Sequence, residues 1–217
     1  MFTGIVETVG KLTELRRVST GLRMKISAKN LDFSDVSAGD SIAVSGPCLT
    51  VVSFSAIGFE VDVSSETLSK TTLGLKKAGA RVNIEKALKF NDRLGGHLVS
   101  GHIDGIGTVL ERATLGEYVR FIISVPVALS RYLAYKGSVC LDGVSLTVNN
   151  VTEDTFEVLT IPHTLDNTTL EGLTTRMDVN VEVDLVARYL ERLYSSDKKV
   201  DLSKVSLGTL VDAGIIK

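Results

Sequence analysis

Side chains able to do proton or covalent chemistry are few in this sequence. It holds three histidines, His97, His102 and His163, and two cysteines, Cys48 and Cys140. No H-E-x-x-H, C-x-x-C or P-loop pattern occurs, so neither a zinc site nor a nucleotide-phosphate site has its usual signature. Gly101-His-Ile-Asp-Gly105-Ile-Gly107 is rich in glycine but wrongly spaced for a dinucleotide-binding turn. Two cysteines cannot build a disulfide framework for a chain of 217 residues. What remains is a small set of Cys, Ser, His, Asp and Lys residues whose meaning depends on where they fall.

An internal repeat gives them their places. Shifted by 97, the chain matches itself without a gap. Gly46-Pro-Cys-Leu-Thr-Val51 falls on Gly143-Val-Ser-Leu-Thr-Val148, and Val82-Asn-Ile-Glu85 on Val179-Asn-Val-Glu182. Phe59-Glu-Val61 meets Phe156-Glu-Val158, and Gly4 meets Gly101. Chance would scatter such matches over many offsets, so the chain is a duplication followed by a tail.

Agreement between copies favours a shared structural or ligand-holding role, and polar disagreement permits asymmetric chemistry. Cys48 faces Ser145: both are small enough for a tight strand start, and both can act in proton relay or nucleophilic attack. His102 faces Ile5, which puts an imidazole in one copy where the other has hydrocarbon. A hydrogen-bonded structural histidine would read the same way. Asp184 faces Ala87 just before a helical pattern, where Asp also makes a good N-cap. Lys136 faces Gly39 and has the alternative of a solvated turn lysine.

The elements that must carry these residues are strands. Residues 22–26, 41–44, 49–54, 59–64 and 81–86 form apolar or alternating runs, and each recurs one repeat later at 119–123, 138–141, 146–151, 156–161 and 178–183. Strands this short, separated by Gly, Asn and Asp turns, predict a closed antiparallel barrel or sandwich in each copy. Residues 1–6 also look like a strand, and residues 67–73 and 164–170 have room for a short helix. Residues 88–96 read as a linker, with Asn91, Asp92 and Gly95-Gly96. Their counterpart, 185–194, places apolar residues at 186, 190, 193 and 194, the period of an amphipathic helix. That helix packs on its own lobe or joins chains.

Charge and composition exclude several classes. Lys and Arg number 24 against 26 Asp and Glu, and the net charge of −2 offers no basic excess for nucleic acid or an anionic membrane surface. Ser41 to Phe59 is uncharged, but its serines and Gly46-Pro47 break it into strands rather than a membrane span. The first residues show no basic segment leading into an apolar run, so a cytoplasmic protein is expected. Two N-x-Thr matches, at Asn150 and Asn167, are taken as chance.

Together these segments resemble the riboflavin synthase family, of the trimeric type built from two tandem barrels. The match is carried by Met1-Phe-Thr-Gly-Ile-Val6, Gly46-Pro-Cys-Leu-Thr-Val51, Gly95-Gly-His-Leu-Val-Ser-Gly-His-Ile103, Tyr135-Lys-Gly137 and Asp142-Gly-Val-Ser-Leu-Thr-Val148. It covers about residues 1–195 and leaves the tail, 196–217, outside.

The resemblance implies an all-β fold: two six-stranded antiparallel Greek-key barrels, at 1–97 and 98–184, then a C-terminal helix and tail at 185–217. It implies dismutation of two molecules of 6,7-dimethyl-8-ribityllumazine, one passing a four-carbon unit to the other, with no cofactor and no metal. It implies a homotrimer whose sites pair the N-terminal lobe of one chain with the C-terminal lobe of its neighbour. A lumazine synthase shell is an open possibility as a further partner.

Carried over by position, N-lobe contacts are Gly4, Ile5 and Val6; Cys48, Leu49 and Thr50; Asp62, Val63 and Ser64; and Ser65, Glu66 and Thr67. C-lobe contacts are Gly101, His102 and Ile103; Ser145, Leu146 and Thr147; Thr160, Ile161 and Pro162; and His163, Thr164 and Leu165, with Lys136 reaching across. His102, Ser145, Asp184 and Cys48 are the catalytic candidates. Pro47 is a less typical neighbour for Cys48. The rival is a non-catalytic lumazine- or flavin-binding antenna protein. Such proteins tend to lose the polar set of the second lobe, which this chain keeps.

Overall fold

The computed structural model describes residues 1–197. In the first copy six strands, β1 (Thr8–Val18), β2 (Gly21–Ser27), β3 (Ser41–Val44), β4 (Cys48–Ser55), β5 (Gly58–Ser64) and β6 (Arg81–Lys86), close into an antiparallel barrel in the order β1-β2-β5-β4-β3-β6. The second copy repeats it with β7 (Gly105–Leu115), β8 (Tyr118–Ser124), β9 (Ser138–Leu141), β10 (Val144–Val151), β11 (Thr155–Thr160) and β12 (Asp178–Val183). Pairing of β2 with β5, and of β8 with β11, over the intervening hairpin is the Greek-key step.

The alternation expected of half-buried strands fills each barrel. Leu12, Met24, Ile26, Phe59, Val61 and Ile84 are buried in the first core. Their repeat counterparts Val109, Phe121, Ile123, Phe156, Val158 and Val181 are buried in the second. Each such side chain contributes roughly 1.5–3 kcal/mol by leaving water. Bulges at Leu12/Glu14 and Val51/Ser53, repeated at Val109/Glu111 and Val148/Asn150, supply the curvature that closure requires.

Several local expectations are corrected. Residues 1–6 are not a strand: Phe2 alone makes an isolated bridge, and regular pairing starts at Thr8. The helical segments are α1 (Ser65–Lys70), then a 3₁₀ turn at Thr72–Leu75, repeated as α3 (Pro162–Asn167) and Thr169–Gly172. A short helix α2 (Val127–Ser130) had no sequence signal.

The lobes join around an approximate two-fold axis. Phe2 pairs antiparallel with Val99, its own counterpart one repeat later, through N–H to O distances of 2.7 and 3.1 Å. Around them Ala43 and Cys140, another counterpart pair, are buried in the same small cluster. Asn83 and Asn180, 1% and 0% exposed, bridge the lobes reciprocally. Asn83 Nδ2 donates to the Asp142 carbonyl and its Oδ1 accepts from Thr169, while Asn180 does the same with Ser45 and Thr72, all at 2.7–2.8 Å.

Met1–Leu185 form one compact unit and Val186 onward a second. The second unit begins within α4 (Leu185–Asp197), whose Val186, Tyr189, Leu190, Leu193 and Tyr194 are exposed. The tail drawn at 196–217 falls almost entirely outside the described residues. No helix among the described residues is long and apolar enough to cross a membrane.

Candidate functional site

The two small residues at the repeated strand starts are completed by the opposite lobe. Ser145 N–H donates to the Gly4 carbonyl at 2.8 Å, and Cys48 N–H donates to the Gly101 carbonyl at 2.8 Å. Val6 packs against the second core, and Ile103 reaches Gly46 in the first lobe. The grouping by chain order is therefore crossed: Gly4, Ile5 and Val6 stand with Ser145, whereas Gly101, His102 and Ile103 stand with Cys48.

Two buried carboxylates hold the crossing segments. Glu85 accepts from Thr3 N–H at 2.6 Å, Thr3 Oγ1 at 2.8 Å and Gly4 N–H at 3.0 Å. Glu182 accepts from Ser100 N–H, Ser100 Oγ and Gly101 N–H at 2.7, 2.6 and 3.0 Å. Burial pushes both carboxyls above the usual range, against these donors. On the sequence, Asn83, Glu85, Asn180 and Glu182 read as the polar side of alternating strands. Their buried role was signalled by identity between copies.

The remaining candidates divide by what their side chains already do. Asp62 is committed to a bidentate pair with Arg23 at 2.7 Å, which holds its carboxyl low. Ser64 caps α1 through Thr67 N–H, with Ser65 and the exposed Glu66 in the first turn. Val63, Leu49, Leu146 and Leu165 belong to the barrel cores, and Thr160 Oγ1 donates to the Val119 carbonyl, so the side chains of these five are already engaged within the fold. Thr50 and Thr147 point out of their strands and are exposed, as are Ile161, Pro162 and His163, with Thr164 half-buried. Lys136 adopts a left-handed φ of 64° and donates to Asn149 Oδ1 of its own lobe at 3.2 Å, beside the Tyr135 ring.

The catalytic candidates do not form one cluster within the chain. His102 is exposed on the Cys48 side, within electrostatic reach of Glu182. Ser145 instead meets His97, with Oγ 2.7 Å from Nδ1. Asp184 lies within electrostatic reach of His97 and opposes the burial that lowers its pKa. Sequence reasoning passed over His97 because its repeat counterpart is Tyr194, beyond the barrels, so no lobe-to-lobe contrast drew attention to it.

Asp142 occupies the position of Ser45 at the lobe junction. Both have positive φ, 46° and 49°, and each accepts a backbone N–H, from Asn180 at 2.9 Å and from Asn83 at 3.2 Å. Burial pushes the Asp142 carboxyl up from 3.8 to about 6, against the charge of Lys76 and the Asn180 N–H. The folded protein thus binds this proton more tightly than the unfolded chain. The stability it contributes is full below pH 3.8 and is lost as pH rises through about 6. Above that, ionised Asp142 costs on the order of 3 kcal/mol. Asp142→Asn keeps the acceptor and tolerates the positive φ. It is expected to raise Tm at pH 7.5, with the gain shrinking towards zero near pH 4. Thermal melts at fixed protein concentration decide this, and a gain that is the same at both pH values refutes it.

Comparison with known proteins places this geometry. A family model described as the lumazine binding domain matches residues 3–87 and again residues 100–184. The riboflavin synthase of Photobacterium phosphoreum is 44% identical over 217 residues, 100% of either chain. That of Bacillus subtilis (strain 168) is 38% identical over 192 residues, 88% of this chain and 89% of the relative. Among solved structures, LumP complexed with riboflavin superposes with a TM-score of 0.76 at 25% identity, over 84% of this chain and 99% of that one. LumP complexed with 6,7-dimethyl-8-(1'-D-ribityl) lumazine gives a TM-score of 0.74 at 24% identity over the same shares, a likeness of fold.

Proposed function

The chain belongs to the lumazine-binding domain family, and we propose that it is an enzyme with riboflavin synthase activity. It converts two 6,7-dimethyl-8-ribityllumazine molecules into riboflavin and 5-amino-6-ribitylamino-pyrimidinedione. The observation that carries this is the crossed pair of strand starts. The duplication offers two equivalent ligand positions, one at Cys48 and one at Ser145, with different chemistry at each. A dismutation needs that: the same substrate twice, held in different roles.

The lobes, taken as 1–97 and 98–184, each hold one lumazine, and the chains assemble as a homotrimer in the cytoplasm. The N-lobe of one chain faces the C-lobe of its neighbour. That pairing brings His102, which stands on the Cys48 side, to the Ser145 and Asp184 of another chain. Holding two rings face to face supplies much of the catalysis, because the bimolecular encounter has already been made. Thr50 and Thr147 hydroxyls and strand-edge backbone groups meet the alternating donors and acceptors of the pyrimidinedione edge. His102, an imidazole able both to accept and to donate a proton, takes or returns the C7-methyl proton. Asp184 orients the polar groups beside Ser145.

Incubation with the lumazine tests the reading directly. One flavin should form for every two lumazines consumed. Tight binding without turnover would instead mark an antenna-type binder. Ser145→Ala, His102→Gln and Asp184→Ala should each lower turnover about ten-fold or more. Changes at the mirror positions, Ile5→Val and Ala87→Gly, should do less to the chemical step. Equal losses in steady-state rate on both sides would place the asymmetry elsewhere.

A further inference from the structure

His97 sits on the linker just after Gly95-Gly96. Its N–H donates to the Thr3 carbonyl at 3.1 Å, and Thr3 is held by Glu85. Gly96 permits that close approach: a Cβ there would lie 2.2 Å from the Thr3 oxygen and 2.7 Å from Ser145 Cβ. The imidazole is thereby brought to one place, with Nδ1 2.7 Å from Ser145 Oγ. Its other nitrogen, Nε2, is buried and has no hydrogen-bond partner among the described residues.

That difference between the nitrogens decides where the ring proton resides. If Ser145 donated to Nδ1, the proton would sit on Nε2, a buried donor with no acceptor. Orphaned buried N–H groups are rare because they forfeit their hydration without replacement. An imidazolium would carry the same orphan and a buried charge. Burial holds His97 on the neutral side, against the pull of Asp184, the charged group that faces it. With the proton on Nδ1, the ring donates to Ser145 Oγ and Nε2 keeps only a lone pair. Ser145 then has its oxygen engaged as an acceptor and its own O–H left to give.

We propose that His97 is a positioning residue that fixes Ser145 as a hydrogen-bond donor to the lumazine on the C-terminal lobe, and is not a base that makes Ser145 a nucleophile. The inference rests on the riboflavin synthase reading above and gives Ser145 a role other than nucleophilic attack or proton relay. A fixed donor stabilises the negative charge that a lumazine ring gains when its C7 methyl is deprotonated. No bond to Ser145 forms or breaks.

The tautomer is measured on the full-length protein labelled with 15N-histidine. Its resonance is identified by its absence from whichever of the His97 variants folds. The expected state is neutral with the proton on Nδ1 between about pH 7 and 8. A proton on Nε2, or an imidazolium across that range, overturns the proposal. Kinetics give the second arm. Asn presents an N–H where the imidazole Nδ1–H stands, whereas Gln extends past it and Ala has none. His97→Asn should keep kcat within about three-fold, while His97→Ala and His97→Gln lose about ten-fold or more in kcat with KM moved less. His97→Asn as slow as His97→Ala, with both at the parent Tm, overturns it too. If the parent protein makes no flavin, the functional reading fails, and the tautomer measurement still decides the hydrogen bond.

Discussion

Val186→Asp combined with Leu190→Asp is expected to yield monomers in sedimentation and to remove most of the activity, on the order of a hundred-fold, although neither residue lies in a barrel. The helix α4 runs from Leu185 to Asp197, 13 residues, a length at which helices alone in water are marginal. Val186, Leu190 and Leu193 recur at helical spacing on one stripe and are 54%, 62% and 66% exposed. In the proposed homotrimer, burying that stripe against copies of itself is what would stabilise the helix and hold the chains together. Two carboxylates there must be desolvated without partners, which outweighs the apolar gain. On the proposed reading, in which the N-lobe of one chain and the C-lobe of the next share each lumazine pair, activity should fall with assembly. The melting of the barrels should change little, which separates lost assembly from lost folding. A monomer with parental turnover would defeat the shared-site reading, and an active trimer would defeat the role given to α4.

The repeat made much of this architecture readable. Strands 41–44, 81–86, 138–141 and 178–183 fall where the residue pattern places them. Apolar and polar residues alternate in 81–86 and 178–183, Ile42-Ala43-Val44 and Val139-Cys140-Leu141 are unbroken buried runs, and turn residues flank them. The first strand of each copy was not delimited, for a physical reason. In β1 the register shifts between Leu12 and Glu14, so alternation breaks mid-strand and the charged Glu14, Arg16 and Arg17 look like a loop. The segment 1–6 erred the other way: it is apolar and extended, yet its groups are satisfied by Val99, Glu85 and Ser145 rather than by a neighbouring strand.

At the site, composition could name residues but not their neighbours. Cys48 and Ser145 stood out because the copies differ there. That each is completed by the other lobe depends on the crossing at Phe2 and Val99, a long-range contact with no local signature. The alternating polar residues of β6 and β12 show the same limit. Asn83 is buried while bridging to Asp142 and Thr169 of the second lobe, and Glu85 is buried while holding the Thr3-Gly4 segment that reaches Ser145. His97 lacked both signals, having no lobe counterpart and lying on a linker, and the contact with Ser145 exists only once the lobes have crossed.

Gly4→Ala tests that crossing and should be nearly as damaging as loss of assembly. Gly4 has φ +75°, and a Cβ on it would lie 2.6 Å from Ser145 Cβ and 2.8 Å from Ser145 N. The Gly4 carbonyl that receives Ser145 N–H must therefore move, and Glu85 holds the other side of the same residue. Left-handed backbone alone costs an alanine about 1–2 kcal/mol, too little to explain a lost site. Gly116→Ala is the control, since Gly116 has φ +64° and nothing within 4 Å of a new Cβ. It should lower Tm slightly and leave kcat/KM within about two-fold, whereas Gly4→Ala should lower kcat/KM on the order of a hundred-fold. Gly101→Ala, whose Cβ would lie 2.5 Å from Cys48 Cβ, should do comparable harm at the other position. Riboflavin titrations of double variants then separate the two. Gly4→Ala should be non-additive with Ser145→Ala and additive with Cys48→Ala, and Gly101→Ala should show the reverse. If Gly4→Ala couples to Cys48 instead, each lobe completes its own site and the crossed arrangement does not govern binding.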